Sequence, residues 1–271
     1  MIISDEHRLA FIHIPKCAGT SVSRQIGHLD SCAGAFRRKG VHAELGSIHY
    51  AHLPLAYLQR YYPAEFDKIA AYRAFALIRD PHARFASATF QRLEEFKGVP
   101  PLKITGRMAL SEARSVIGWL RGRDRFCDLE HIHFSRQSDY VNLAGVRIVK
   151  NIFPLEQLSE FADALHEVCA IRLDPERREN ANFASSNALL GLIRSTKPVY
   201  SKLTTWGLRR RILFLLQRWK LHTPAALYEA FRMDREINSF VETYYAEDFA
   251  LRRAARAHVS AVRAVPARAA A

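Results

Sequence analysis

The sequence is short of acidic residues and of cysteine, and it has no long apolar run. Its 271 residues carry 27 Asp and Glu against 40 Lys and Arg, a formal charge of +13. That balance disfavours a cationic partner and suits a polyanion or an anionic cofactor. Part of the excess lies in the Ala/Arg-rich end, LRRAARAHVSAVRAVPARAAA, where residues 254–271 are expected to form a disordered tail. The four cysteines, Cys17, Cys32, Cys127 and Cys169, make no CxxC pair and match no zinc-ligand spacing. They point to a reduced, cytoplasmic protein. No stretch reaches the roughly 20 apolar residues of a membrane span, and ILFLL at 212–216 is far too short. The first residues lack a basic-then-apolar signal pattern. A soluble chain with at most peripheral membrane contact is the expectation.

What is present is an alternation of short apolar runs and amphipathic segments. LAFIHI (9–14), YRAFALI (72–78) and VRIVKNI (146–152) read as buried strands. Helices are expected from Thr20 to Leu29, over 53–62 until Pro63, and from Asp80-Pro81 through HARFASATFQRLEEF. Further helices follow over 110–122, with an imperfect capping box at Ser111, over 154–168, and over 233–253. Residues 31–50 show no clear period. The segment 206–219, WGLRRRILFLLQRW, reads as a basic amphipathic helix with its arginines outward. Strands alternating with helices imply an α/β fold, a central parallel sheet flanked by helices in three layers.

The stretch FIHIPKCAGTSV (11–22) concentrates the chemistry. A strand broken by Pro15 turns directly into a helix, whose first N–H groups and dipole make an anion seat. Ala18 and Gly19 keep the loop slim, Thr20 and Ser21 add hydroxyls, and Lys16 adds a mobile cation. The spacing is not GxxxxGK[ST], because Lys16 precedes Gly19, and the second strand ends in Arg79 and not in an acid. A metal-dependent nucleotide kinase or NTPase is therefore the weaker reading. In ALIRDPHARFASATF (76–90), Arg79 stands at the carboxyl end of a strand, where open parallel sheets bind ligands. Ser87 lies about two helical turns on, so the pair can clamp a second phosphate. Arg84 reads as a surface ion-pair residue.

At these residues the chain resembles the sulfotransferases that use 3′-phosphoadenosine 5′-phosphosulfate, PAPS. FIHIPKCAGTSV is similar to their 5′-phosphosulfate loop and IRDPHARFASATF to their 3′-phosphate motif. The wording is nearest the carbohydrate O-sulfotransferase branch, whose loop reads HIPKTGGTS; here Cys17-Ala18 replace Thr-Gly. HLPLAYL (52–58), HFSRQSDYV (133–141), VRIVKNIFPLEQLSEF and ETYYAEDFAL resemble further family segments. The likeness spans about residues 8–251, with 96–130 and 190–225 as poorly matched inserts, and it implies one domain over 1–253.

The resemblance implies a P-loop-like sulfotransferase that moves a sulfuryl group from PAPS to an acceptor hydroxyl on a carbohydrate, without a metal. It implies that Lys16 is catalytic and that Lys16, Cys17, Ala18, Gly19, Thr20 and Ser21 cradle the phosphosulfate, with Arg79 and Ser87 on the 3′-phosphate. An alcohol acceptor needs a base. The residues alone leave His49 and His52 open, and the resemblance maps the base onto His52. His13 reads as structural, Gln137, Ser138 and Tyr140 as contacts to adenosine or acceptor, and Glu156 as a helix N-terminal acid. The basic charge also admits a non-catalytic nucleotide- or nucleic-acid-binding protein, but neither AFRRKG nor WGLRRRILF matches a known reader module, and no nucleic-acid partner is expected.

Overall fold

A computed structural model describes residues 1–174 and 225–264. Strands β1 (Ile2–Ser4), β2 (Leu9–Ile12), β5 (Arg73–Ile78) and β8 (Asn151–Pro154) form one sheet in the order β1-β2-β5-β8. β1 is antiparallel to β2, whereas β2–β5 and β5–β8 are parallel. Parallel neighbours need long crossovers. The crossover from β2 to β5 holds helices α1 (Gly19–Ile26), α2 (Leu55–Tyr61) and α3 (Pro63–Ala71), with a hairpin of β3 (Lys39–His42) and β4 (Gly46–His49) between them. The crossover from β5 to β8 holds α4 (Pro81–Glu95), α5 (Gly106–Leu120) and the short pair β6 (Asn142–Leu143) and β7 (Val146–Arg147). Then come α6 (Leu158–Cys169), α7 (Ala225–Met233), α8 (Arg235–Tyr244) and α9 (Ala246–Ala264). Helices thus flank a mixed sheet whose three parallel strands end on one edge, at Ile12, Ile78 and Pro154. No helix among the described residues is long and apolar enough to cross a membrane.

Several boundaries differ from the sequence expectation. The third sheet strand is Asn151–Pro154, not 146–152. Val146 and Arg147 belong to a hairpin turned by Ala144 and Gly145, both at positive φ. The apolar run crosses a turn, and period alone does not mark that turn. Pro63 ends α2 but also opens α3, because proline suits a first helical turn. α5 starts at Gly106, capped by the Thr105 hydroxyl on Met108 N–H at 3.3 Å, so Ser111 is interior. Asp80 caps α4, on Ala83 N–H at 3.0 Å. The closing helix breaks at Tyr245, and α9 runs on to Ala264, into the stretch expected to be disordered. Alanine and arginine are strong helix formers, which favours that extension. The basic segment 206–219 lies outside the described residues.

Two apolar cores form among the described residues. One packs the sheet against α1, α2, α3 and α6; the other joins α4, α5, α7 and α8 through Phe85, Phe90, Val116, Ile117 and Phe231. α4 carries Arg84 between them. The sequence reading put Arg84 on the surface; it is 1% exposed. Its guanidinium donates to the His133 carbonyl at 3.0 Å and to the Ser135 carbonyl, and it lies 3.8 Å from the Asp248 carboxylate. The Tyr245 ring stands 5.2 Å away. Asp248, fully buried on α9, also accepts the Gln137 and Ser138 amides at 2.8 and 2.9 Å. Burying two charges is tolerated because each is paired and hydrogen-bonded, Arg84 through its two terminal nitrogens and Asp248 through both oxygens, although Arg84 Nε finds no partner. Replacing Asp248 with Ala would strand the Arg84 charge. We expect a loss of about 3–5 kcal/mol in urea unfolding, against a clearly smaller loss for Asp248→Asn.

Candidate active site at the sheet edge

Past β2 the chain reverses within a few residues. Lys16 and Ala18 sit at φ 66° and 60°, in the left-handed region. Each side chain held there costs about 1–2 kcal/mol, strain of the kind found at functional loops. The reversal brings the N-terminus of α1 over the sheet edge. No side chain caps that N-terminus, and the Gly19 and Thr20 amides have no hydrogen-bond partner among the described residues. Gly19 is required for a packing reason. A Cβ there would lie 1.9 Å from Cδ2 of His13, whose ring fills the space beneath the loop. Cys17 turns inward, with Sγ 3.3 Å from Gln137 Oε1, and burial pushes its thiol up to about 12. Its backbone, not its sulfur, is available to an anion. Thr20 and Ser21 are half-buried on the first turn of α1.

Arg79 stands directly across from this loop. Gln137 holds its backbone at both ends: Arg79 N–H donates to Gln137 Oε1 at 2.8 Å, and Gln137 Nε2 donates to the Arg79 carbonyl at 2.9 Å. The Arg79 guanidinium reaches the Lys16 carbonyl at 3.5 Å. The two cations are therefore neighbours at one sheet edge. Lys16 Nζ donates to Gln91 Oε1 on α4 at 2.7 Å. Burial, with the Arg79 charge second, brings its ammonium down to about 8. Ser87 is buried one turn before Gln91 on the same helix face, and so lies on the side of α4 that meets the loop.

A group of four histidines stands beside the loop. The His52 ring lies 4.5 Å from His13, 4.3 Å from His49 and 5.4 Å from His133, centre to centre. Burial, then the neighbouring histidines, hold His52 well below the usual imidazole value. Burial likewise brings His49 to about 4 and His133 to about 3. His52 Nδ1 is 3.0 Å from the His13 carbonyl, which can only accept, so Nδ1 carries the proton and Nε2 keeps a lone pair. His49 is the reverse. Its Nδ1 accepts the Ala51 amide at 3.3 Å, which leaves the proton on Nε2.

The expected ligand contacts of Gln137 and Tyr140 are corrected. Gln137 grips the Arg79 backbone, and Tyr140 is buried with its hydroxyl on the His52 carbonyl at 3.1 Å. Both build the frame under the site. Glu156 is an ion-pair partner, 2.8 Å from Arg252. Sequence reasoning assigned no role to His133, Gln91, Glu95 or Lys39. Only His133 had a signal, as the first residue of a stretch that resembles the family. No group of His, Cys, Asp or Glu among the described residues is placed to hold a metal ion.

A model of the sulfotransferase family matches residues 1–251. The chain belongs to the sulfotransferase family. No curated protein and no solved structure matches it. This sulfotransferase is thus a transferase of sulfuryl groups, from a family that generally uses PAPS and acts on hydroxyl-bearing acceptors.

The buried neutral histidines tie stability to acid. Their unfolded values lie near 6.5 and their folded values below, so the unfolded chain binds more protons in that window. Stability is complete above pH 6.5 and falls as pH drops towards about 3. Melting temperatures taken between pH 7 and 4 should decline, and His52→Gln, which cannot titrate, should flatten the slope.

Proposed function

We propose that this sulfotransferase takes its sulfuryl group from PAPS and delivers it to a hydroxyl of a carbohydrate. The reading rests on the adjacency of Lys16 and Arg79 beneath an uncapped helix N-terminus, two cations one nucleotide can span. In this reading the amides of residues 17–21, Thr20, Ser21 and Lys16 hold the 5′-phosphosulfate, and Arg79 and Ser87 hold the 3′-phosphate. The inward turn of Cys17 and the small Ala18 leave the backbone open to an anion. The carbohydrate acceptor follows from the wording of HIPKCAGTS and from the further family-like segments. We also read residues 1–253 as one domain of P-loop-like, three-layer architecture, on the strength of the strand–loop–helix at β2 and the parallel pairing beside it.

The acceptor oxygen attacks sulfur in line with the bond to the 5′-phosphate oxygen. As the new S–O bond forms, the old one breaks and its electron pair stays on the phosphate. Lys16 and the loop amides meet that growing charge. The acceptor proton passes to Nε2 of His52, whose lone pair is kept free by the Nδ1 bond to the His13 carbonyl. The depressed basicity of His52 keeps it neutral at physiological pH, ready to accept.

Labelled-sulfate transfer to a glycan panel, with mass spectrometry of the products, tests the activity. Lys16→Ala should lower turnover by about 10²–10³-fold. His52→Ala should lower it by about 10²–10⁴-fold while leaving donor affinity unchanged. Arg79→Ala should weaken PAPS by about tenfold or more and leave adenosine 5′-phosphosulfate, which lacks the 3′-phosphate, nearly unaffected. Because Lys16 is charged only below about 8, kcat/KM should fall as pH rises through that value and show no acid limb near 6.5. Equal loss of both nucleotides in Arg79→Ala would remove the 3′-phosphate assignment.

A further inference from the structure

Lys16 ends a continuous run of side chains that begins on the β3–β4 hairpin. Lys39 forms an ion pair with Glu95 Oε1, Gln91 Nε2 donates to Glu95 Oε2 at 2.9 Å, and Gln91 Oε1 accepts from Lys16 Nζ at 2.7 Å. The two ends dictate the orientation of the amide. A carboxylate only accepts and an ammonium only donates, so Gln91 must turn its nitrogen to Glu95 and its oxygen to Lys16. Gln91 and Glu95 are four apart on α4 and so share a helix face. On the hairpin, Lys39 stands opposite His49 in the antiparallel register, which puts both side chains on one face of the ribbon.

An ordinary exposed Lys–Glu pair contributes little. This one is different in what it is joined to. A carboxylate in direct contact with Lys16 would cancel the charge an anion needs. A neutral amide holds the ammonium in place and leaves that charge uncancelled, with Glu95 one residue removed. The titratable groups around Lys16 are Arg79 at the end of β5, the neutral Cys17 thiol in its own loop, and Glu94 and Glu95 on α4. His133, buried beside His52, lies within the field of Lys16, Glu95 and Lys39.

We propose that the chain Lys39–Glu95–Gln91 positions the Lys16 ammonium, so that Gln91 and Glu95 are positioning residues for the transfer and the hairpin carrying His49 is physically coupled to the loop. The inference rests on the reading of Lys16 as the group that meets the departing phosphate. The coupling has a sign. Glu95→Gln removes a negative charge and leaves Lys39 uncompensated, and both changes disfavour the Lys16 ammonium. Lys39→Met frees the full Glu95 charge, which favours it.

The test uses the full chain without nucleotide. The Lys16 side-chain resonance, assigned by its loss in Lys16→Arg, is titrated by carbon-13 NMR at low salt, where partly exposed charges are least screened. Glu95→Gln should move the Lys16 titration to lower pH and Lys39→Met to higher pH, each by about half a unit or more. The alkaline limb of kcat/KM should move in the same two directions. Gln91→Leu should lower kcat about tenfold with little change in binding of the desulfated nucleotide, as expected for a misplaced group. Lys16 titrating at one pH in the wild type, Glu95→Gln and Lys39→Met would overturn the proposal, whatever happened to melting temperature. If the titrations separate as expected but the wild type transfers no sulfuryl group, the chain stands and the functional reading falls.

Discussion

Gln137 grips one peptide unit on each side of Arg79, and most of the site depends on that grip. With one amide it accepts from Arg79 N–H, donates to the Arg79 carbonyl and lies within reach of the Cys17 thiol. The end of β5 and the turn after β2 are thereby fixed to each other, although 63 residues separate Lys16 from Arg79. Gln137 is in turn held by Asp248, and Asp248 by Arg84. A helix near the end of the chain therefore sets the geometry of a loop near its beginning. The charges in this frame are buried, so each must be bonded, and the pairing leaves little freedom of position.

The frame explains how strain and two close, half-buried cations persist beside it. Two left-handed residues in the loop, Lys16 and Ala18, are unfavourable locally. They survive because the strand below, the His13 ring under Gly19 and the inward Cys17 over-determine the path of the backbone. Lys16 and Arg79 repel each other, and burial adds to the cost of the Lys16 charge. An anionic ligand would relieve both.

The histidines divide by bonding and not by composition. His13 gives its carbonyl to His52 and its ring to the loop. His49 and His52 are three residues apart and look equivalent in the sequence, yet their Nδ1 atoms face opposite partners, an amide donor and a carbonyl acceptor. One neutral tautomer can take a proton at Nε2 and the other cannot. The same logic orients Gln91 between an ammonium and a carboxylate. In both places a hydrogen-bond partner, and not the residue type, decides the chemistry.

Local sequence determined the strand-to-helix turn, with its proline stop, slim Ala18-Gly19 and lysine, and the arginine at the end of the second strand. These follow from short-range sterics, helix-end hydrogen bonding and a period of two, all readable within a dozen residues. It also determined the cap of α4 by Asp80. It did not determine that Arg84 is buried, that α9 continues past residue 253, or that VRIVKNI divides between a hairpin and a strand. Apolar periodicity is blind to turns inside a run and to carbonyls that arrive from another element. Only the tertiary structure decided which nitrogen of His52 is free, which amide holds Lys16, and that Lys16 and Arg79 face the same space. Each depends on a contact across 39 or more residues, and such contacts exist only once the sheet has brought its strand ends to one edge.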